Sequence, residues 1–533
     1  MFIRRHVPFL AILALAAVLR LWGLDWLPSP AGDEGNWTLY GLKISRGEEA
    51  ALAENAAFVS LLYAYVIAAF MKVMGAGFFA ARLVGTTAVL ATIVAVYWIS
   101  AALGARRFGL VLAAFFAFHP WSVAYSRICS VPYALALAVT TIGPLLFVAG
   151  LKQRRIALVA AGVLVVSVGA HFSPLCACAP VACALYALAP AHRWILRRGE
   201  LYAAAGLGAL HAWPVVRSAM AVAGDAPPLD PFHQLGRRLG THLHMVLTGL
   251  GGEATLRHFT NVAMSPRVAL VVAVPVVAFA AMAATRRARE ASPFGAFGPL
   301  WLLVSLVLTP LILMPGREWD LPANHMDRYL FSLLPAFAMC VAAVAALPHR
   351  AAMAAGVAFL AWLGVNDGRM AWAFLARGGV DHGEGIYDGG GGYRGWLVSD
   401  RAEPVAYQVR DEILRIVGPG GGATLVVADR TFIPLTFVMD GTGVPVVDVR
   451  RTMIPPDAHG RYFILLWPDE VMSVAHPPTA PEKYLGSNQE LRRRMNVRFE
   501  RLRLVRDFRQ RDGRPLLELW LAEKPKGVRL GVG

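Results

Sequence analysis

Apolar runs about as long as a lipid bilayer is thick recur through the first two-thirds of this chain, and no other feature limits its fold as strongly. They lie near 7–24, 80–103, 108–126, 131–150, 156–172, 174–190, 201–217, 268–284, 297–315, 328–347 and 350–366. A helix rises about 1.5 Å per residue, so about 20 apolar residues bridge a hydrocarbon core of roughly 30 Å. The pattern predicts a polytopic α-helical membrane protein with about eleven transmembrane helices. Composition agrees, since 57% of the 533 residues are hydrophobic and only 16% are charged. Residues 1–24 carry Arg4 and Arg5 ahead of an apolar run with no clear small-residue cleavage site, which reads as an uncleaved anchor.

Residues 57–75, AAFVSLLYAYVIAAFMKVM, are long enough to be a twelfth span, and loop charge decides against it. If they do not cross, Arg106 and Arg107, Lys152 with Arg154 and Arg155, the Arg193–Arg198 cluster, Arg286, Arg287 and Arg289, and Arg350 all share the side of the N-terminus. That side is then cytoplasmic by the positive-inside tendency. The segment is therefore predicted to be an interfacial or re-entrant helix within an external loop, 25–79. The net charge of +16 comes mainly from the part before residue 367, with 27 Lys and Arg against 14 Asp and Glu, whereas the tail has 24 against 21. A basic excess located in membrane loops argues against a nucleic-acid partner.

The orientation gathers one chemically coherent set of residues at the external face. The first loop holds the acidic pair Asp33 and Glu34 and, further on, Lys43; SRICSVPY holds Arg127, AHFSP holds His171, and NHMDRY holds His325, Asp327 and Arg328. A carboxylate pair where a helix leaves the bilayer is costly to desolvate and by default marks a functional site; a solvated loop is the plain alternative. Arg328 and Arg127 have the geometry to hold a phosphate through two parallel donors, against readings as a snorkelling side chain and as a cap of a span. Lys43 reads as a headgroup contact or a donor-phosphate ligand. The loop 218–267 contains DPFHQLGRRLGTHLHMVLTGLGG, an amphipathic helix expected on the external surface, with His242 and His244 on different sides.

Several separated landmarks together resemble GT-C glycosyltransferases of the dolichyl-phosphate-mannose protein mannosyltransferase superfamily, which includes the lipid A aminoarabinose transferases. They are the DE pair in LRLWGLDWLPSPAGDEGNW, the KVMG turn followed by AARLVG, then AYSRICSVPYALAL, AHF and DRYLFSLLPAF, in order over roughly residues 10–350. The resemblance implies an inverting transfer of a hexosyl or pentosyl group from a polyprenyl-phosphate carrier to an acceptor hydroxyl at the external membrane face. It makes Asp33 the general base with Glu34 beside it, Arg328, Arg127 and Lys43 donor-phosphate ligands, and His171, His325 and Asp327 sugar or metal contacts. Where some relatives have a second acid after the arginine of the second external loop, this chain has RICSVPYA, with Tyr133 nearby; a divalent cation therefore stays an open cofactor. The acceptor is a glycan, lipid or protein, and the location implied is a bacterial plasma membrane. A lipid transporter or flippase is the rival from another class, but no repeat symmetry of the transporter kind is present.

The resulting organisation is a membrane domain over 1–366, a glycine-rich connector over 367–397 and a soluble external domain over 398–533. A helix is expected at AYQVRDEILRIV, strands at ATLVVAD, VPVVDV, YFILLW, RLRLVRDF and LLELWL, and a further helix around PEKYLGSNQELRRRM, giving an α/β or α+β domain. GPGGG at 418–422 precedes its strand and reads as a turn, because a phosphate cradle would follow one. Ten arginines lie between 492 and 514, either a solvated sheet face or a surface for anionic headgroups or an acidic acceptor.

Overall fold

The apolar runs fold as helices, as lipid requires: backbone groups that no water can reach must bond within their own segment. The computed structural model describes residues 2–25, 33–48, 61–129, 132–224, 235–260, 266–313, 326–377, 405–418, 422–427, 433–448, 461–466, 499–509 and 515–525. They fall into two compact units, one comprising Met1–Leu24, Lys43–His258 and Val262–Met370, the other Asp25–Leu42, Phe259–Asn261 and Ala371–Gly533.

The helices are, in chain order, α1 (Phe2–Leu21), α2 (Asp33–Ser45), α3 (Leu62–Met74), α4 (Phe78–Ala102), α5 (Arg106–Phe118), α6 (Pro120–Ser126), α7 (Tyr133–Gln153), α8 (Ile156–Val168) and α9 (Cys178–Ala187). There follow α10 (Gly199–Gly224), α11 (Leu235–Leu250), α12 (Glu253–Thr260), α13 (Pro266–Ala283), α14 (Arg286–Ala291), α15 (Phe297–Leu313), α16 (Leu334–Ala345), α17 (Arg350–Arg377), α18 (Val405–Val417) and α19 (Ile433–Val438). Among the described residues, Phe78–Ala102, Tyr133–Gln153 and Arg350–Trp372 are long and apolar enough to cross a membrane unbroken. Two bent pairs, Arg106–Phe118 with Pro120–Ser126 at 58° and Pro174–Ala187 with Pro190–Arg197 at 104°, bring the number to five if each is one span. On α15, Leu303, Val307 and Leu311 are exposed at four-residue spacing, a stripe suited to lipid. α3 has 13 residues, about 20 Å of helix, and so is shorter than a hydrocarbon core.

The reading of 108–126 as one uninterrupted span needs correction. Pro120 has no N–H for the carbonyl of Phe116, and the N–H of Trp121 turns instead to His119 Nδ1 at 3.1 Å. The carbonyls of Phe116 and Ala117 are left without helical donors. Arg20 of α1 supplies them, with Nη2 donating to Phe116 O at 2.7 Å and to Ser122 Oγ at 3.0 Å, and Nη1 to Ala117 O at 3.1 Å. The guanidinium is fully buried. A break that would be expensive in lipid is thus satisfied by one side chain from a neighbouring helix.

α7 and α8 form a tight hairpin for a different reason. A Cβ at Gly162 would stand 2.6 Å from the Phe147 amide nitrogen and 2.7 Å from the Gly143 carbonyl oxygen, and one at Gly150 would stand 2.6 Å from the Val159 nitrogen. Only hydrogen fits between these backbones, the small-residue packing common where helices meet in membranes.

In the second unit, β1 (Ala423–Val427), β2 (Val446–Asp448), β3 (Arg461–Leu466), β4 (Phe499–Arg509) and β5 (Pro515–Pro525) form one mixed sheet in the order β2-β1-β3-β5-β4. β1 lies parallel to β2 and β3, while β5 is antiparallel to both β3 and β4. All five predicted strands are present. The central strands ATLVV and RYFILL are almost continuously apolar and buried, as strands covered on both faces are. The edge strand β4 instead exposes Arg501, Arg503 and Arg509, charges that discourage pairing with another chain. Gly418, at φ +73°, ends α18 with its N–H on Leu414 O, which is the turn expected of GPGGG. The helix expected around 481–495 lies outside the described residues.

Glu412 of α18 accepts from Arg415 and from Arg506 of β4, which ties helix to sheet. The Arg415 hydrogen bond, aided by the charges of Arg415 and Arg506 and opposed by partial burial, holds the carboxyl below the usual range. With the folded pKa below the unfolded one, the stabilisation is complete above the unfolded value and vanishes as pH falls through the folded one. Glu412→Gln should therefore lower protection of the 405–417 amides at pH 7. Near pH 3, exchange corrected for intrinsic rates should converge with the parent protein; a gap that persists there would rule out this pair as the cause.

Candidate functional site

The C-terminal end of α1 is held by arginine from two directions. Arg127, which closes α6, donates through Nη1 to Leu19 O at 2.6 Å and through Nη2 to Trp22 O at 2.7 Å. Arg82 of α4 donates through Nη1 to Leu24 O at 2.9 Å. The last carbonyls of a helix have no partners within it, so these side chains cap α1 much as Arg20 caps α5. Arg127 is 6% exposed and Arg82 fully buried. These two bonds fix the Arg127 guanidinium beside the end of α1. Arg20 and Arg82 were missed in the sequence, where each looked like a residue of an apolar run.

From Arg127 the rim continues through aromatic side chains. Tyr125 stacks on Trp121 at 4.7 Å and meets Tyr133, the first residue of α7, edge-on at 5.8 Å. Tyr133 in turn stacks on Phe331 at 5.5 Å and reaches Tyr329 at 6.3 Å. Tyr329 and Phe331 belong to the 3-10 segment Met326–Ser332, in which the Arg328 guanidinium lies over the Tyr329 ring at 4.9 Å. Tyr125, Tyr133, Phe331 and Tyr329 thus form one run of contacting rings that starts on α6 and ends at Arg328. Asp327 lies in the same segment, its side chain outside the described set, and His325 lies outside the described residues.

The acidic pair opens α2. Asp33 is its first residue, with a side chain outside the described set; Glu34 follows and is 1% exposed, its carbonyl accepting from Thr38 Oγ1 at 2.7 Å. Lys43, half-buried, sits in the last turn of the same helix, where a cation opposes the carbonyl end. Asp33 and Glu34 belong to the second unit and Arg127, Arg328, Lys43 and His171 to the first.

His171 lies in the 3-10 turn after α8 and has a partner the sequence did not reveal. Its Nε2 is 3.1 Å from His211 Nδ1, the rings stack at 5.2 Å, and His211 Nε2 is 2.8 Å from Ser167 Oγ. Ser167 gives its proton to Leu164 O at 2.8 Å, so its oxygen accepts from His211 Nε2, whose other nitrogen then accepts from His171. Spacing could not show this, because His211 is on α10, 40 residues away. Among the described residues no group of three or more His, Cys, Asp or Glu is placed to hold a metal ion.

Comparison with solved structures finds the same fold elsewhere. The crystal structure of ArnT from Cupriavidus metallidurans bound to undecaprenyl phosphate matches over 96% of this chain and 97% of its own, at 14% identity and a TM-score of 0.53. Its apo form matches over the same shares at 14% identity with a TM-score of 0.49. The likeness is one of fold, and it runs through nearly the whole of both chains. Residues 59–217 match the family model described as dolichyl-phosphate-mannose-protein mannosyltransferase. No curated protein matches by sequence.

Proposed function

We propose that this integral membrane enzyme moves a sugar from a polyprenyl-phosphate carrier to an acceptor hydroxyl at the external face of a bacterial plasma membrane, inverting the anomeric carbon. The carrying observation is the concentration of fixed arginine at the end of α1, where Arg127 closes the helix whose Tyr125 leads through Tyr133 and Tyr329 to Arg328. As the anomeric bond breaks, negative charge grows on the departing phosphate, and cations already fixed in a poorly solvated setting stabilise it without reorganising. Asp33 takes the proton of the attacking hydroxyl, with Glu34 supporting it. Attack from the face opposite the phosphate gives inversion. His171, Asp327 and His325 are available for contacts to the sugar, and no step requires a metal ion.

The reading is tested with purified protein and labelled polyprenyl-phosphate sugars. Release of polyprenyl phosphate that depends on acceptor is expected; translocation of intact donor without cleavage would instead establish the transporter reading. Arg328→Lys keeps the charge but loses the planar fork, and should raise KM for the donor about tenfold with a smaller change in kcat. An unaltered KM would remove Arg328 from the phosphate site.

A further inference from the structure

The turn between α11 and α12 is bound by side chains from two other parts of the first unit. Leu250 O accepts from His119 Nε2 at 3.2 Å, and Gly251 O accepts from Trp362 Nε1 at 3.3 Å and from Asn366 Nδ2 at 3.5 Å, both on α17. The His119 ring is fixed in this role, since its Nδ1 already accepts from Trp121. Gly252, at φ +82°, brings the backbone so close to Pro120 that a Cβ would stand 2.9 Å from the proline ring. The first turn of α12 is tied to α17 as well, through Arg369 Nη1 on Glu253 Oε2 at 3.5 Å, the same nitrogen also donating to Asn366 Oδ1 at 3.1 Å. The sequence placed α11 on the external surface. Its last turn is instead buried, because its terminal carbonyls are satisfied inside the fold.

The next residue of α17 acts on the other broken element. Asp367 is 3% exposed and within electrostatic reach of Arg20, and neither carboxylate oxygen has a hydrogen-bond partner among the described residues. The charged group that acts on this carboxyl is the Arg20 guanidinium, which holds the α5/α6 break. α6 ends in Arg127. α11 runs along the segment of Arg328: Gly249 abuts the Leu330 side chain so closely that a Cβ would overlap its Cδ1 and lie 3.1 Å from its Cγ.

We propose that Asn366, Asp367 and Trp362 make α17 a positioning strut, which holds the Arg127 end of α6 and the Arg328 segment in register for the donor phosphate. Asp367 works through Arg20 and the α5/α6 break; Asn366 and Trp362 work through the α11–α12 turn. None of the three touches the reacting atoms. The inference rests on the proposed donor-phosphate role of Arg127 and Arg328 for its functional half, while its structural half stands without it. A buried charge pair contributes little net stability compared with apolar residues of the same shape. Its value here is therefore in register, which separates positioning from simple support.

The test compares the full-length protein with Asn366→Leu, Asp367→Asn and the double replacement Arg20→Met with Asp367→Leu. KM for a polyprenyl-phosphate sugar should rise at least tenfold in each, binding of polyprenyl phosphate alone should weaken to match, and kcat should change less than threefold. Amide exchange should quicken in 119–129, 250–256 and 326–332 and stay unchanged in the α7–α8 hairpin. The double replacement should recover the melting temperature of the parent without recovering KM. Should Asp367→Asn fail to fold, Trp362→Phe carries the same expectation at smaller size. The strut is overturned if those three segments exchange as before, if only kcat falls, or if every loss tracks the melting temperature. A parent protein that neither binds polyprenyl phosphate nor cleaves the donor would overturn the proposed function, and the exchange pattern would still decide the strut.

Discussion

Asp33→Asn is expected to lower kcat by 10² to 10⁴, the range typical of losing a general base. The substitution preserves shape and removes only basicity. Asparagine begins helices about as well as aspartate does, so α2 should still start at this position and fold and insertion should be intact. Binding of the polyprenyl-phosphate donor should persist, because the cations assigned to it lie elsewhere. The comparison of kcat with donor affinity in the purified variant is decisive. Full turnover would remove Asp33 from the base role and leave Glu34, buried in the same first turn, as the residue to replace next.

The largest expected effect on stability is that of Gly162→Val. Overpacking usually costs about 1–3 kcal/mol because flexible neighbours yield. Here the obstructing atoms are the Phe147 nitrogen and α-carbon and the Gly143 carbonyl oxygen, all main chain, so α7 and α8 would have to separate. We expect a cost at or above the top of that range, seen as a lower melting temperature and a lower yield of monodisperse protein in detergent. Gly206→Val, where a Cβ meets nothing within 4 Å, is the matched control. Equal melting temperatures for the two variants would contradict the close crossing.

How far these features were legible depends on what each residue's role draws on. The strands of the second unit could be placed from composition alone, since ATLVV and RYFILL are short apolar runs bounded by turn residues, and they proved to be the central strands. The helices of the first unit were legible for the same reason. The bend at His119 was not, because hydropathy averages over a window and registers Pro120 as one more apolar residue. The Arg20 and Asp367 partnership joins positions 347 apart, and each side chain in isolation looks like a blemish in an apolar helix. Tyr133 drew notice for standing near the place of an acid in some relatives and Tyr329 only as part of DRYLFSLLPAF, while their contact with one another exists only in the fold. Asp33 and Glu34 stood out because acid is rare beside a span.

The arginine cap of α5 also bears on the order of assembly during synthesis. A chain leaves the ribosome N-terminus first, so α1 is already in the bilayer when the α5–α6 break arrives, and Arg20 is waiting for the two carbonyls that Pro120 and His119 leave open. A protein deprived of its first helix would have to insert that break with bare carbonyl groups facing hydrocarbon, at several kcal/mol apiece. The helix that supplies the cap thus precedes, in the order of synthesis, the break that it satisfies.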